Sequence, residues 1–79
     1  MEGLGSGPHP DERMKILLNG SPSSLPDGLT VSELLARLQL PEKAVLVERN
    51  REPVARKDFT TVRLIEDDVV EIVQMVAGG

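Results

Sequence analysis

The stretch TVSELLARL, Thr30 to Leu38, places Val31, Leu34, Leu35 and Leu38 at i, i+3, i+4 and i+7. On a helix these positions fall on one apolar stripe. Thr30 and Glu33 frame its start as a capping box, with the Thr hydroxyl for a free N–H of the first turn and the Glu carboxylate reaching back. Pro41 is expected to end it. A helix of about two and a half turns is marginal alone, so its stripe needs a flat apolar surface to cover it. The flanking segments predict a sheet.

KILLNG is an apolar run closing on Asn19-Gly20, a strong signal for a tight hairpin. The returning SPSSL carries Pro22, which places it as a short strand at a sheet edge. Pro26-Asp27-Gly28 marks the next turn. After the helix, AVLVERN reads as a strand turning at Asn50-Arg51 into EPVAR. KDFTT reads as a loop that tucks Phe59 against the core, VRLI as a short strand or extended turn, and Glu66-Asp67-Asp68 as the last turn. In the final strand, VVEIVQMV, Val70 and Ile72 alternate with Glu71, Val73 and Met75. Val70 and Ile72 then point at the helix, and Val73 and Met75 lie on the open face as a candidate partner-docking surface. The expected fold class is α+β: a small mixed sheet with one helix packed across one face.

Composition narrows the function classes. Phe59 is the only aromatic residue among 79, so the core must be built from Leu, Val and Ile. With no cysteine there is no disulfide framework and no thiolate metal site. His9, the single histidine, sits in a polar stretch and cannot form a metal cluster or catalytic dyad by itself. Glu66, Asp67 and Asp68 are read as solvated carboxylates, because no second carboxylate group completes an oxygen cage; no metal site is expected. Net charge is −4 with no Lys/Arg block, which argues against nucleic acid as a partner. No apolar run reaches the length of a membrane span and no secretory signal is present, so the expectation is a cytoplasmic chain that does not engage a membrane. Residues 1–13, MEGLGSGPHPDER, hold three Gly, two Pro and one large aliphatic residue besides Met1, and are expected to form a disordered arm. The folded domain is expected over 14–79.

The opening MKILLNG, the helix phrase LTVSELLARL, the strand and turn LVERNREPVAR and the ending DDVVEIVQMVAGG together resemble the ThiS family, the ubiquitin-like, β-grasp sulfur carriers of thiamine biosynthesis. The resemblance runs from Met14 to Gly79. Two departures stand out: Asp67-Asp68 replaces the usual Gly-Asp before the final strand, and Asn50-Arg51 replaces a frequent Asn-Gly. Asp tolerates positive φ better than most residues, so a slightly strained but intact turn is expected at Asp67.

The resemblance implies a carrier rather than an enzyme, with no catalytic residue and no bound cofactor of its own. A ThiF-like adenylating enzyme would activate the carboxylate of Gly79 with MgATP. A persulfide sulfur donor would convert the glycyl adenylate into a thiocarboxylate, and thiazole synthase (ThiG-like) would receive the sulfur. Free of these partners the chain is expected to be a monomer. Residue chemistry agrees. A terminal carboxylate, with a reference pKa near 3.5, is ionised at neutral pH and can attack the α-phosphorus of ATP. Gly78 and Gly79 present no side chains to the walls of a narrow active site. Val76, Ala77, Gly78 and Gly79, fully extended, would reach about 13 Å beyond the strand. Two alternatives remain at this point: the small subunit of molybdopterin synthase, a MoaD-like carrier with the same fold and Gly-Gly end, and a ubiquitin-like modifier or binding module without sulfur chemistry. The compact segment between helix and last strand favours the thiamine carrier over the molybdopterin one.

Overall fold

The computed structural model describes residues 9–75. Five strands and one α-helix follow in the order β1 (His9–Leu18), β2 (Ser21–Asp27), α1 (Val31–Leu38), β3 (Val45–Arg49), β4 (Glu52–Pro53) and β5 (Val69–Gln74). They form one mixed sheet, β2-β1-β5-β3-β4, in which the central pair β1 and β5 is parallel and the other pairs are antiparallel. The helix stripe Val31, Leu34 and Leu35 packs on one face of that sheet, against Met14, Ile16, Val45, Val47, Val70 and Ile72, with Phe59 and Leu64 closing the core. This is the β-grasp arrangement.

The helix start is satisfied at every free donor. Thr30 Oγ1 accepts from the Glu33 N–H at 3.1 Å, and the Glu33 carboxylate accepts from the Thr30 N–H at 2.8 Å. The Val31 and Ser32 N–H groups donate to the carbonyls of Val62 and Phe59 at 3.1 and 2.9 Å. These groups have no partner within the helix, so the segment after β4 stabilises the helix by supplying carbonyls to them. Phe59 enters the core from that same segment. VRLI forms no strand; Arg63 makes a single bridge to Thr30, and the Leu64 N–H donates to Leu29 O at 2.8 Å.

The helix C-terminus departs from expectation. Gln39, at φ 60°, ends α1 two residues before Pro41, and the Leu40 N–H returns to Leu35 O at 2.9 Å. This reversal folds Leu40 onto the core in the manner of a Schellman cap. Leu38, expected to be buried with the stripe, is instead 39% exposed. It is the last helical residue, and the chain reverses immediately after it.

β1 begins at His9, inside the stretch for which composition argued disorder. Pairing explains the difference for residues 9–13: His9 lies opposite Asp27, Arg13 opposite Pro26, with a register shift between them. The Arg13 guanidinium donates to Ser24 O at 2.8 Å and Ser24 Oγ at 3.2 Å. Local composition could not reveal a partner strand supplied by β2. Residues 1–8 lie outside the described residues, as do Val76, Ala77, Gly78 and Gly79.

Candidate functional site

β5 is the element that leads toward the glycines, and the fold grips it from both sides. The two hairpin turns share one device. Asn19 and Gly20 have φ of 50° and 84°, and Asn50 and Arg51 have φ of 54° and 71°. Both are therefore turns with two left-handed residues, the type that matches strand twist in a two-residue hairpin. Each asparagine also reaches β5. Asn19 Oδ1 accepts from the Ile72 N–H at 2.8 Å, and Asn50 Oδ1 accepts from the Val69 N–H at 2.9 Å. Their own backbone N–H groups donate to Val70 O at 2.9 Å and Val69 O at 2.7 Å.

Below these bonds sits Asp68, which is 3% exposed. Its carboxylate accepts from Arg49 Nε at 2.8 Å, from Asn50 Nδ2 at 3.1 Å and from the Ile65 N–H at 2.9 Å. The expectation of three solvated carboxylates fails here. Asp68 is buried because the turn folds it inward onto three donors, and a buried carboxylate is tolerable when it is so paired. Asp67 carries the strain expected of it, with φ at 72°. Glu66 stays exposed but accepts from the Lys15 N–H at 2.8 Å. Among the described residues no three His, Cys, Asp or Glu side chains converge as a metal site.

The alternation expected in β5 holds. Val70 and Ile72 are buried, while Val73 and Met75 are 57% and 41% exposed. Register adds neighbours that the pattern of β5 alone could not name. Leu46 of β3 is opposite Val73, Glu48 is opposite Glu71, and Leu17 of β1 is opposite Val69. Leu46, Leu17 and Val69 are all exposed. The open face therefore carries a band of Leu17, Val69, Leu46, Val73 and Met75, interrupted by two glutamates. The alternation of VLVER was a usable signal for Leu46, because Val45 and Val47 claim the core. Around the β3 edge lies an open, mostly apolar hollow of about 280 Å3, lined by Val45, Val47, Val54 and Phe59 among others.

The sheet holds its last strand to the end of the described chain. The Met75 N–H donates to Ala44 O at 2.8 Å, one residue before Val76. The sequence-derived docking residues Val73 and Met75 thus share one face and stand directly before the tail. The tail positions themselves, Val76 to Gly79, fall outside the described residues.

Comparison with known proteins places this geometry. A sequence profile of the ThiS family matches residues 16–79. Over 50 residues the chain is 46% identical to the sulfur carrier protein ThiS of Bacillus subtilis, covering 63% of this chain and 76% of that protein. Over 66 residues it is 42% identical to a thiazole synthase of Magnetococcus marinus, covering 84% of this chain but 20% of that protein. The chain thus spans about a fifth of the length of that thiazole synthase, and the same share of a thiazole synthase from Paramagnetospirillum magneticum at 35% identity. The crystal structure of the thiamine biosynthesis protein ThiS from Geobacter metallireducens superposes with a TM-score of 0.73 at 33% identity, covering 84% of this chain and 100% of that one. With a profile match over most of its length and a solved relative of the same architecture, the chain belongs to the ThiS family.

Proposed function

We propose that this chain is a cytoplasmic sulfur carrier for the thiazole branch of thiamine biosynthesis, not an enzyme, and that Gly79 is its carrier residue. The carboxylate oxygen of Gly79 attacks the α-phosphorus of MgATP in a ThiF-like adenylating enzyme, and pyrophosphate leaves. Sulfur from a persulfide on a partner cysteine then displaces AMP. Thiol cleavage of the resulting sulfur–sulfur bond leaves a thiocarboxylate on Gly79, which passes its sulfur to thiazole synthase. The chain supplies a carboxylate and a side-chain-free approach to it; the nucleotide and Mg2+ belong to the partner.

One observation carries the reading. The family match extends through Gly78 and Gly79, directly after a strand whose backbone pairing holds as far as Met75. A strand held as far as Met75 fixes the point from which the segment to Gly79 starts, which lowers the entropy of placing that segment in a partner's active site. The names of the relatives support thiamine over molybdopterin, since they are thiazole synthases, the sulfur carrier protein ThiS and a thiamine biosynthesis protein. Pyrophosphate release tests the first step. With a ThiF-like enzyme and MgATP, release should depend on this chain and slow markedly in Gly78→Val, whose branched side chain restricts φ and crowds the channel. Equal rates for parent and Gly78→Val would refute the role given to the glycines.

A further inference from the structure

The outer edge of β3 is only partly covered. β4 pairs with it at Glu48 and Arg49 alone, and the Val54 N–H adds one bond to Val47 O at 2.9 Å. Backbone groups of successive residues point to opposite edges of a strand. Ala44 O faces β5, where it accepts from the Met75 N–H at 2.8 Å, so Val45 and Val47 face outward. Among the described residues Val45 has no backbone partner on that edge. Alongside it lies the hollow of about 280 Å3, apolar at Val45, Val47, Val54 and Phe59, with Arg56 as its cation. Arg56 is exposed, and its Nη2 donates a long contact to Lys43 O at 3.5 Å. The ion pairs among the described residues are Arg49–Asp68 and Lys57–Asp58. Arg56 thus has no carboxylate partner among them, even though Glu48 lines the same hollow.

Lys43 and Ala44 are consecutive, so Arg56 stands beside the point where β5 passes into the tail. From the Met75 N–H through Ala44 O and Lys43 O to Arg56 Nη2 the path is at most about 11 Å. Val76 to Gly79 extend to about 13 Å. Their side chains carry no charge; on the proposed function, from which this step is taken, their one anion is the Gly79 carboxylate. We propose that in the chain on its own the tail folds back over Lys43 and Ala44, with the Gly79 carboxylate on the Arg56 guanidinium and Val76 toward the apolar hollow. Length, starting point and charge together name the tail as the occupant. Gly78 and Gly79 permit the reversal, and a guanidinium fork can meet both carboxylate oxygens. An exposed pair of this kind is weak. It shelters the carboxylate between reactions and releases it to an enzyme that binds it better, whose apparent affinity is reduced in proportion to the sheltered fraction.

NMR of the 15N-labelled full chain tests the contact with no enzyme present. The parent is compared with Arg56→Gln, with a semisynthetic chain ending in a carboxamide at Gly79, and with Lys57→Gln, whose lysine already pairs with Asp58. Arg56→Gln should shift the Gly78 and Gly79 amide resonances of the parent and lower their 15N NOE. The same substitution in the carboxamide chain should shift neither, because the pair is already broken there. Lys57→Gln should leave the tail unchanged, and salt at about 1 M should bring the parent's tail resonances to those of Arg56→Gln. Unmoved amides of Leu34 and Ile72 verify the fold in every variant. Matching tail resonances in parent and Arg56→Gln would overturn the proposal, as would an equal response to Lys57→Gln. Tail shifts that grow with protein concentration would also overturn it, assigning the contact to the tail of a second copy. Sulfur loading of Gly79, measured by intact mass with an adenylating enzyme, reports the carrier reading separately. Loading with matching spectra refutes the tail contact alone; an Arg56-dependent tail without loading refutes the carrier reading alone.

Discussion

The side-chain oxygen of Asn19 accepts a hydrogen bond from the backbone N–H of Ile72 at 2.8 Å, across a separation of 53 residues. β1 pairs with β5 only at Leu17–Val69 and Leu18–Val70. The asparagine extends that short parallel ladder by one rung after the backbone of β1 has turned away. Asn19→Gly would keep the left-handed turn geometry yet lose this bond. It should therefore destabilise the domain by about 1–3 kcal/mol, even though glycine suits the backbone. Urea unfolding checks it; a variant as stable as the parent would show the bond to be dispensable.

Arg51 offers the opposite case. It sits at φ 71° in the second hairpin turn, a region unfavourable for a side chain by about 1–2 kcal/mol. Its side chain makes no hydrogen bond among the described residues. Arg51→Gly should raise stability by up to about 1 kcal/mol, less than the full strain because glycine also loosens the unfolded chain. Asn50→Gly, one residue earlier, should instead destabilise, because Asn50 bonds both Val69 and Asp68.

Asp68→Ala would leave the Ile65 N–H and the Arg49 guanidinium without their shared acceptor. The expected loss is about 1–3 kcal/mol. Asp67→Asn, at the exposed neighbouring position, removes a carboxylate but keeps a residue that tolerates φ of 72°, and should change stability far less. Equal effects in the two variants would mean that the carboxylate network is incidental.

The helix placement separates two leucines. Leu34 is fully buried, and Leu34→Ala should cost about 2–5 kcal/mol as a core cavity. Leu38, the last helical residue before the Gln39 reversal, is 39% exposed, and Leu38→Ala should cost under about 1 kcal/mol. Sequence periodicity alone expects similar losses at both, so denaturant midpoints distinguish the two accounts.

These cases mark what the sequence made legible. Period and capping residues located α1, Asn-Gly located the first hairpin, and alternation in β5 assigned Val70 and Ile72 inward and Val73 and Met75 outward. Each of those signals lies within a few residues of chain. What escaped depends on pairing between distant segments. The extension of β1 back to His9 rests on β2. The exposure of Leu38 rests on where the chain reverses. Asp68 is buried because Arg49, Asn50 and Ile65 converge on it, and a run of three acids carries no mark of which one will turn inward. For the candidate site, Val73 and Met75 were readable from β5 itself. Their neighbours Leu46 and Leu17, and the opposition of Glu48 to Glu71, required the register of three strands.

The central claim is that Gly79 carries sulfur, and intact-mass spectrometry tests it most directly. The chain is incubated with MgATP, a ThiF-like adenylating enzyme and a sulfide source, then weighed and fragmented. The account predicts a gain equal to sulfur replacing one oxygen, localised to Gly79, and no gain in a variant lacking Gly79 whose urea midpoint matches the parent. A sulfur gain in that variant, or one mapped to any other residue, would contradict it.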